Sequence, residues 1–167
     1  MIFLIILSFF LDGVLSIYAE GTLFLPLLTI MSLVITGPYI ESKKKYYIMA
    51  GVMGLMYDII YTETPFINMI FFIIIAFAIK YFIKYINNHA INNAILGLLI
   101  IVIYRLGTYM FLNMLGYIVF DPNELWVTIY SSLITNVIYI VLTSLIISKT
   151  KNKKRRKRYS TNVRKNY

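Results

Sequence analysis

The chain has 167 residues, 60% hydrophobic and only 14% charged, with no cysteine. An ordinary soluble domain is about half apolar and about a quarter charged, so too little charge is present to cover a water-facing surface, and lipid is the natural solvent. The missing cysteines exclude a disulfide framework and a thiolate metal site. The net charge of +9 is local: ten basic residues and no acidic one lie between Lys149 and Tyr167, while the other 148 residues carry six basic and seven acidic side chains.

A spanning helix needs about 20 mostly apolar residues. Six segments qualify: Ile2–Tyr18, Thr22–Ile40, Tyr46–Thr62, Pro65–Ile86, Ile91–Leu115 and Leu125–Ser148. The first lacks the basic leader and small-residue cleavage site of a signal peptide, so a retained span is expected. The fifth continues in apolar residues to Phe120, which predicts a tilt or break near Asn113 and Gly116. Continuous apolar runs such as Phe71–Ile79 and Ile95–Ile103 favour helices over the alternating strands of a membrane barrel. The connections, at Ala19–Gly21, Glu41–Lys45, Glu63–Thr64, Asn87–Ala90 and Gly116–Glu124, are too short for a further folded unit. The expected fold is an all-α membrane bundle of six transmembrane helices over 1–148, followed by a disordered basic tail over 149–167.

Charge predicts orientation, because positive loops stay cytoplasmic. With the N-terminus inside, Lys43, Lys44, Lys45, Lys80, Lys84 and the ten tail residues fall on the inner side. The outer connections then hold Glu20, Glu63, Asp121 and Glu124 and no lysine or arginine. Both termini are therefore expected in the cytoplasm. The cluster Lys151, Lys153, Lys154, Arg155, Arg156, Lys157 and Arg158 follows the last span directly. Such a cluster anchors topology and attracts anionic lipid headgroups. Docking to a cytoplasmic protein is the sharper alternative. No folded recognition module accompanies it, so nucleic acid is not an expected partner.

Asp12, Asp58 and Arg105 are charges inside apolar spans, where an ionised group usually faces the bundle interior or a partner. At 1.5 Å per residue, Asp12 and Asp58 lie roughly 6–10 Å below the outer ends of their helices and Arg105 roughly 15–20 Å deep. The arginine could snorkel toward either carboxylate, and the bland alternative is that the two aspartates reach outer-leaflet water. Helical spacing adds polar stripes: Ser8, Asp12 and Ser16; Ala50, Gly54, Tyr57 and Tyr61; Thr128, Ser132, Thr135, Tyr139 and Thr143, flanked by Ser131 and Asn136. Small residues and hydroxyls on such faces serve helix packing, or alternatively line a ligand cavity or partner groove. Tyr18, Tyr39, Tyr46, Tyr47 and Tyr117 are expected in an interfacial belt, and His89 in a solvated turn.

The stretch Gly51-Val-Met-Gly54-Leu-Met-Tyr57-Asp58-Ile-Ile-Tyr61-Thr62 resembles the signature of the rod shape-determining protein MreD family, in which a glycine-containing helix ends in aromatic-Asp-x-x-aromatic-Thr/Ser. The plan is similar throughout: a short chain, about six spans, an acidic residue late in the first helix, a proline in the second (Pro26) and a basic cytoplasmic end. Where that family commonly has a glycine after the Thr/Ser, this chain reads Thr64-Pro65-Phe66-Ile67, and Arg105 matches no family position. The resemblance implies a non-enzymatic scaffold or regulatory subunit of the bacterial cell-elongation machinery, without a cofactor. Its partners would be MreC, the peptidoglycan synthase RodA with its transpeptidase, and the actin-like MreB. It also implies a fold similar to the substrate-binding subunits of energy-coupling-factor vitamin transporters, and such a vitamin-binding subunit is the rival reading. Against it, Ile2–Tyr18 contains no alanine for the Ala-x-x-x-Ala docking motif of those subunits. A proton-coupled transporter using Asp12 and Asp58 is a third reading. No metalloprotease, P-loop or nucleophile-elbow motif occurs, and the flanks of Asp12 and Asp58 do not form the matched pair of an aspartyl protease. Asp12, Gly54, Tyr57, Asp58, Tyr61, Thr62 and Arg105 are the candidate bundle-shaping or partner-binding residues.

Overall fold

The computed structural model describes residues 2–18, 26–62, 66–85 and 90–164, with side chains described through Thr143 in the last helix. Its elements are α1 (Ile2–Tyr18), α2 (Leu28–Thr36) followed by a 3-10 turn (Gly37–Tyr39), α3 (Lys43–Tyr57) continued by a π-helical turn (Asp58–Thr62), α4 (Ile67–Phe82), α5 (Ala90–Met114) and α6 (Pro122–Arg164). The fold is all-α, and two helices, Ile91–Met114 and Pro122–Thr143, are each long and apolar enough to cross a membrane.

The helix ends follow from local chemistry. Ser42 caps α3, its Oγ accepting from the Lys45 amide. Asp121 precedes Pro122 at the start of α6 and accepts from the Asn123 amide at 2.8 Å, which meets a preference for acidic caps with proline in the first turn. α5 stops where the asparagine and glycine lie. The Gly116 amide donates to the Asn113 carbonyl and the Tyr117 amide to the Leu112 carbonyl, with Gly116 at φ +77°, a left-handed conformation that glycine adopts without steric penalty.

Two of the expected helices differ from their apolar runs. Among the described residues of the second segment, helix begins at Leu28, because Leu27 takes φ 63° and interrupts the backbone beside Pro26. α6 keeps a helical backbone to Arg164, beyond the Ser148 limit of its apolar run. The connections around 19–25, 63–65 and 86–89, with Glu20, Glu63 and His89, lie outside the described residues, as do the side chains of Lys151, Lys153, Lys154, Arg155, Arg156, Lys157 and Arg158.

α2 is the centre of the bundle. All its residues except Ile35 are buried, against α1, α5 and α6 and, at its C-terminal end, α4. α3 and α4 form a close hairpin beside it. The distribution of polarity is inverted relative to a soluble bundle. Ser8, Asp12, Thr29, Ser32, Asp58, Ser132 and Asn136 are buried, while Phe3, Phe10, Ile74, Phe77 and Ile138 are each more than half exposed.

Candidate functional site: two helix starts held by remote carboxylates

The first four amides of a helix have no partner within it. In apolar surroundings such orphan donors must be satisfied by other parts of the protein. α2 and α4 both begin in an unusual way: the residue before each, Leu27 (φ 63°) and Phe66 (φ 58°), is left-handed and offers no side-chain cap. A bulky residue rarely takes this conformation. In sequence both follow a proline, Pro26-Leu27 and Pro65-Phe66.

A carboxylate from another helix takes the place of the cap at each start. Asp12, fully buried on α1, accepts from the Leu28 amide through Oδ1 at 2.7 Å and from the Thr29 amide through Oδ2 at 2.9 Å. The Thr29 hydroxyl donates to the same oxygen at 2.7 Å, and the Tyr57 hydroxyl donates to it from α3. Asp58, only 3% exposed, accepts from the Asn68 amide at 2.9 Å and the Asn68 side-chain amide at 3.0 Å through Oδ1. Its Oδ2 accepts from the Met69 amide at 2.9 Å. Each carboxylate thus neutralises the positive end of a helix dipole and satisfies two orphan amides. Burial of both corrects the alternative in which they reach outer water.

The two starts are joined. Asn68 donates to Thr62 Oγ1 at 2.7 Å and accepts from the Tyr104 hydroxyl of α5. The Phe72 ring lies 5.0 Å from Tyr57 and 6.0 Å from Tyr104, so an aromatic layer bridges the two carboxylate clusters. Tyr61 stacks 5.1 Å from Phe9 and donates to the Phe9 carbonyl at 2.7 Å, fastening α3 to α1. Gly54 permits the α3–α4 approach: a Cβ there would stand 2.6 Å from both the Asn68 carbonyl oxygen and the Met69 Cα, which are backbone atoms that cannot step aside. The π-helical turn from Asp58 to Thr62 widens the end of α3 just where its side chains cross to α4.

The far end of α2 is held by the opposite charge. Lys80 of α4 donates to the Gly37 and Ile40 carbonyls, each at 2.6 Å, with its ammonium 4.9 Å from the Tyr46 ring centre. Tyr46 is itself fully buried and donates to the Leu33 carbonyl at 2.8 Å, which removes it from the expected interfacial belt. Its position near the start of α3 suggests a belt residue. Its hydroxyl reaches a backbone carbonyl of α2 instead, which turns the ring inward.

Arg105 reaches across from α5 to α6. Its Nε and Nη2 donate to Ser132 Oγ on α6 at 3.1 and 2.9 Å. The hydrogen-bond partners of Asp12 are Leu28, Thr29 and Tyr57, so α2 rather than the arginine occupies that carboxylate. The α6 stripe faces inward through Thr128, Ser132, Asn136, Tyr139 and Thr143, with Thr135 at its margin. It meets the α1 stripe where the Ser8 and Tyr139 hydroxyls share a hydrogen bond of 2.7 Å. Asn136 donates to the Pro26 carbonyl beside the start of α2.

Asp12, Gly54, Tyr57, Asp58, Tyr61 and Thr62 therefore belong to one joint between α1, α2, α3 and α4. Sequence reasoning missed Asn68, Lys80, Thr29 and Tyr104. Asn68 and Lys80 carried a signal, as isolated polar side chains in the otherwise apolar run of α4. Comparison with protein-family models, curated proteins and solved structures finds no match to this chain.

Proposed function

We propose that this chain is a six-span protein of a bacterial cytoplasmic membrane, with both ends inside, that acts as a non-enzymatic scaffold subunit of the cell-elongation complex in the manner of MreD. The observation that carries this reading is the use made of Gly51–Thr62, the stretch that resembles the family signature. Gly54, Tyr57, Asp58, Tyr61 and Thr62 all act in the joint that assembles the first four helices. Phe66 holds φ 58° in the region where the family commonly has glycine, the residue that adopts such a backbone most readily.

The inverted polarity supports the membrane part of the proposal, since exposed Phe3, Phe10, Ile74, Phe77 and Ile138 suit acyl chains and the hydroxyls and carboxylates lie inside. The segregation of lysine and arginine supports the orientation. The site chemistry supports a scaffold: Asp12 is committed to donors at the start of α2, and that role builds a rigid interior rather than a proton-transfer site.

Depletion of the protein in its host tests the proposal, with rounding or swelling of cells and co-purification of MreC as the expected results. Normal cell shape after depletion refutes it. In the Asp58→Ala variant, membrane insertion should persist while co-purified MreC falls. Wild-type amounts of MreC would remove Asp58 from the proposed role. Reaction of a Lys43→Cys variant with an impermeant thiol reagent outside intact cells would overturn the topology.

A further inference from the structure

α4 packs mainly on α3, and toward α5 it leaves an apolar groove of about 670 Å³. Buried Ile75, Leu96 and Ile100 line its floor. Exposed Ile74 and Phe82 of α4 and Leu99 and Ile103 of α5 form its rims. We infer that this groove holds one acyl chain of an anionic phospholipid, with the headgroup at Lys84. This occupancy rests on the membrane reading proposed above.

Length, lining and charge favour this occupant. The groove runs from Ile74 to Tyr85 along one side and from Asn92 to Ile103 along the other. At 1.5 Å per residue that is roughly 17 Å, close to the ~15 Å of hydrocarbon in one bilayer leaflet. Membrane helices dock through small residues that let two backbones approach. Among the described residues of this groove only Ala78 is small. Branched and aromatic rims hold a second helix away and still admit a methylene chain. Charge distinguishes the two ends. At one end the Tyr85 amide donates to the Phe82 carbonyl at 2.9 Å, in the turn that closes α4, and Lys84 stands exposed beside it. The start of α3 lies at this same end, since the Lys80 ammonium sits over the Tyr46 ring, and it adds exposed Lys43, Lys44 and Lys45 against one acid, Glu41. Such a basic edge attracts anionic headgroups. The other end, at Ile74 and Ile103, is apolar. The groove thus has the polarity of a lipid along its length.

Native mass spectrometry would be applied to the full chain purified in maltoside and given equal amounts of phosphatidylglycerol and phosphatidylcholine with the same acyl chains. Saturable retention of one lipid, with phosphatidylglycerol favoured, is expected. Ala78→Phe fills the groove and should remove most of this retention. Leu99→Trp fills it from the opposite rim and decides the matter if Ala78→Phe fails to fold. Lys84→Gln should keep the retained lipid and cut the preference for phosphatidylglycerol about fivefold, the worth of one lysine at an anionic surface. The chain has no cysteine of its own, so Ile95→Cys carries a single benzophenone label at the groove and Ile138→Cys a control label on the exposed face of α6. Irradiation should give a lipid adduct from the first and little from the second. No retained lipid in the unaltered chain, undiminished retention in a folded groove variant, an unchanged preference in Lys84→Gln, or equal adducts from the two labels overturns the assignment. So does a cross-link from the groove to a second copy of the chain or to another protein without a lipid adduct. Carbonate extraction of host membranes separates the two readings: a chain that stays with the membrane but retains no lipid loses this site alone, and a released chain loses the membrane reading and the site with it.

Discussion

Asp12 and Lys80 hold opposite ends of one nine-residue helix and its 3-10 extension, the aspartate at the amides of Leu28 and Thr29 and the lysine at the carbonyls of Gly37 and Ile40. Each charge matches the helix-dipole end it faces. α2 is too short to be stable alone, since isolated helices under about 12–15 residues are marginal. Its burial among other helices and these two ionic caps explain why it persists at the centre of the bundle.

Asp12→Ala leaves two amides and the hydroxyls of Thr29 and Tyr57 facing an apolar void. A loss of about 3 kcal/mol or more is expected from unsatisfied buried donors, read as a lower melting temperature in detergent. Asp12→Asn keeps one carbonyl acceptor but turns an N–H₂ group toward donors, so it should recover little. Tyr57→Phe removes one donor and should cost about 1 kcal/mol. Equal losses in Asp12→Ala and Tyr57→Phe would contradict the capping role.

Gly54→Ala forces a methyl group into the backbone of Asn68 and Met69. Overpacking of this kind costs about 1–3 kcal/mol. Cross-linking between cysteines placed on α3 and α4 should slow as the hairpin opens. Unchanged stability and cross-linking would show that the contact is loose.

The two left-handed residues should respond in opposite directions to glycine. Relief of the backbone is worth about 1–2 kcal/mol at either position. Phe66 is 56% exposed and loses little packing, so Phe66→Gly should be neutral or stabilising. Leu27 is fully buried, and removing such a side chain costs about 2–5 kcal/mol, so Leu27→Gly should destabilise. A matched pair of melting curves decides this, and destabilisation by Phe66→Gly would be evidence against strain there.

Lys80→Met retains the hydrocarbon stem but strips two carbonyls of their donor. Stability should fall by about 1–3 kcal/mol, with faster amide exchange confined to the last turn of α2. Uniform exchange across the bundle would assign Lys80 a general rather than a capping role.

Part of this architecture is readable from local pattern. Composition determines the helical class, since long apolar runs close their hydrogen bonds within the segment. The apolar segment Ile2–Tyr18 coincides with α1, and the Asn113 and Gly116 pair marks the end of α5 because a left-handed glycine closes a helix by local bonds alone. The period of the α6 hydroxyls predicts a polar face, and that face is buried. The choice of partners for the charged side chains required the tertiary structure. Asp12 reaches amides 16 and 17 residues away, Lys80 reaches carbonyls some 40 residues back, and Arg105 turns to Ser132 on α6. A side chain's charge and depth are properties of its own helix. The orphan backbone group it satisfies is determined by where another helix starts or stops beside it, and packing alone sets that position.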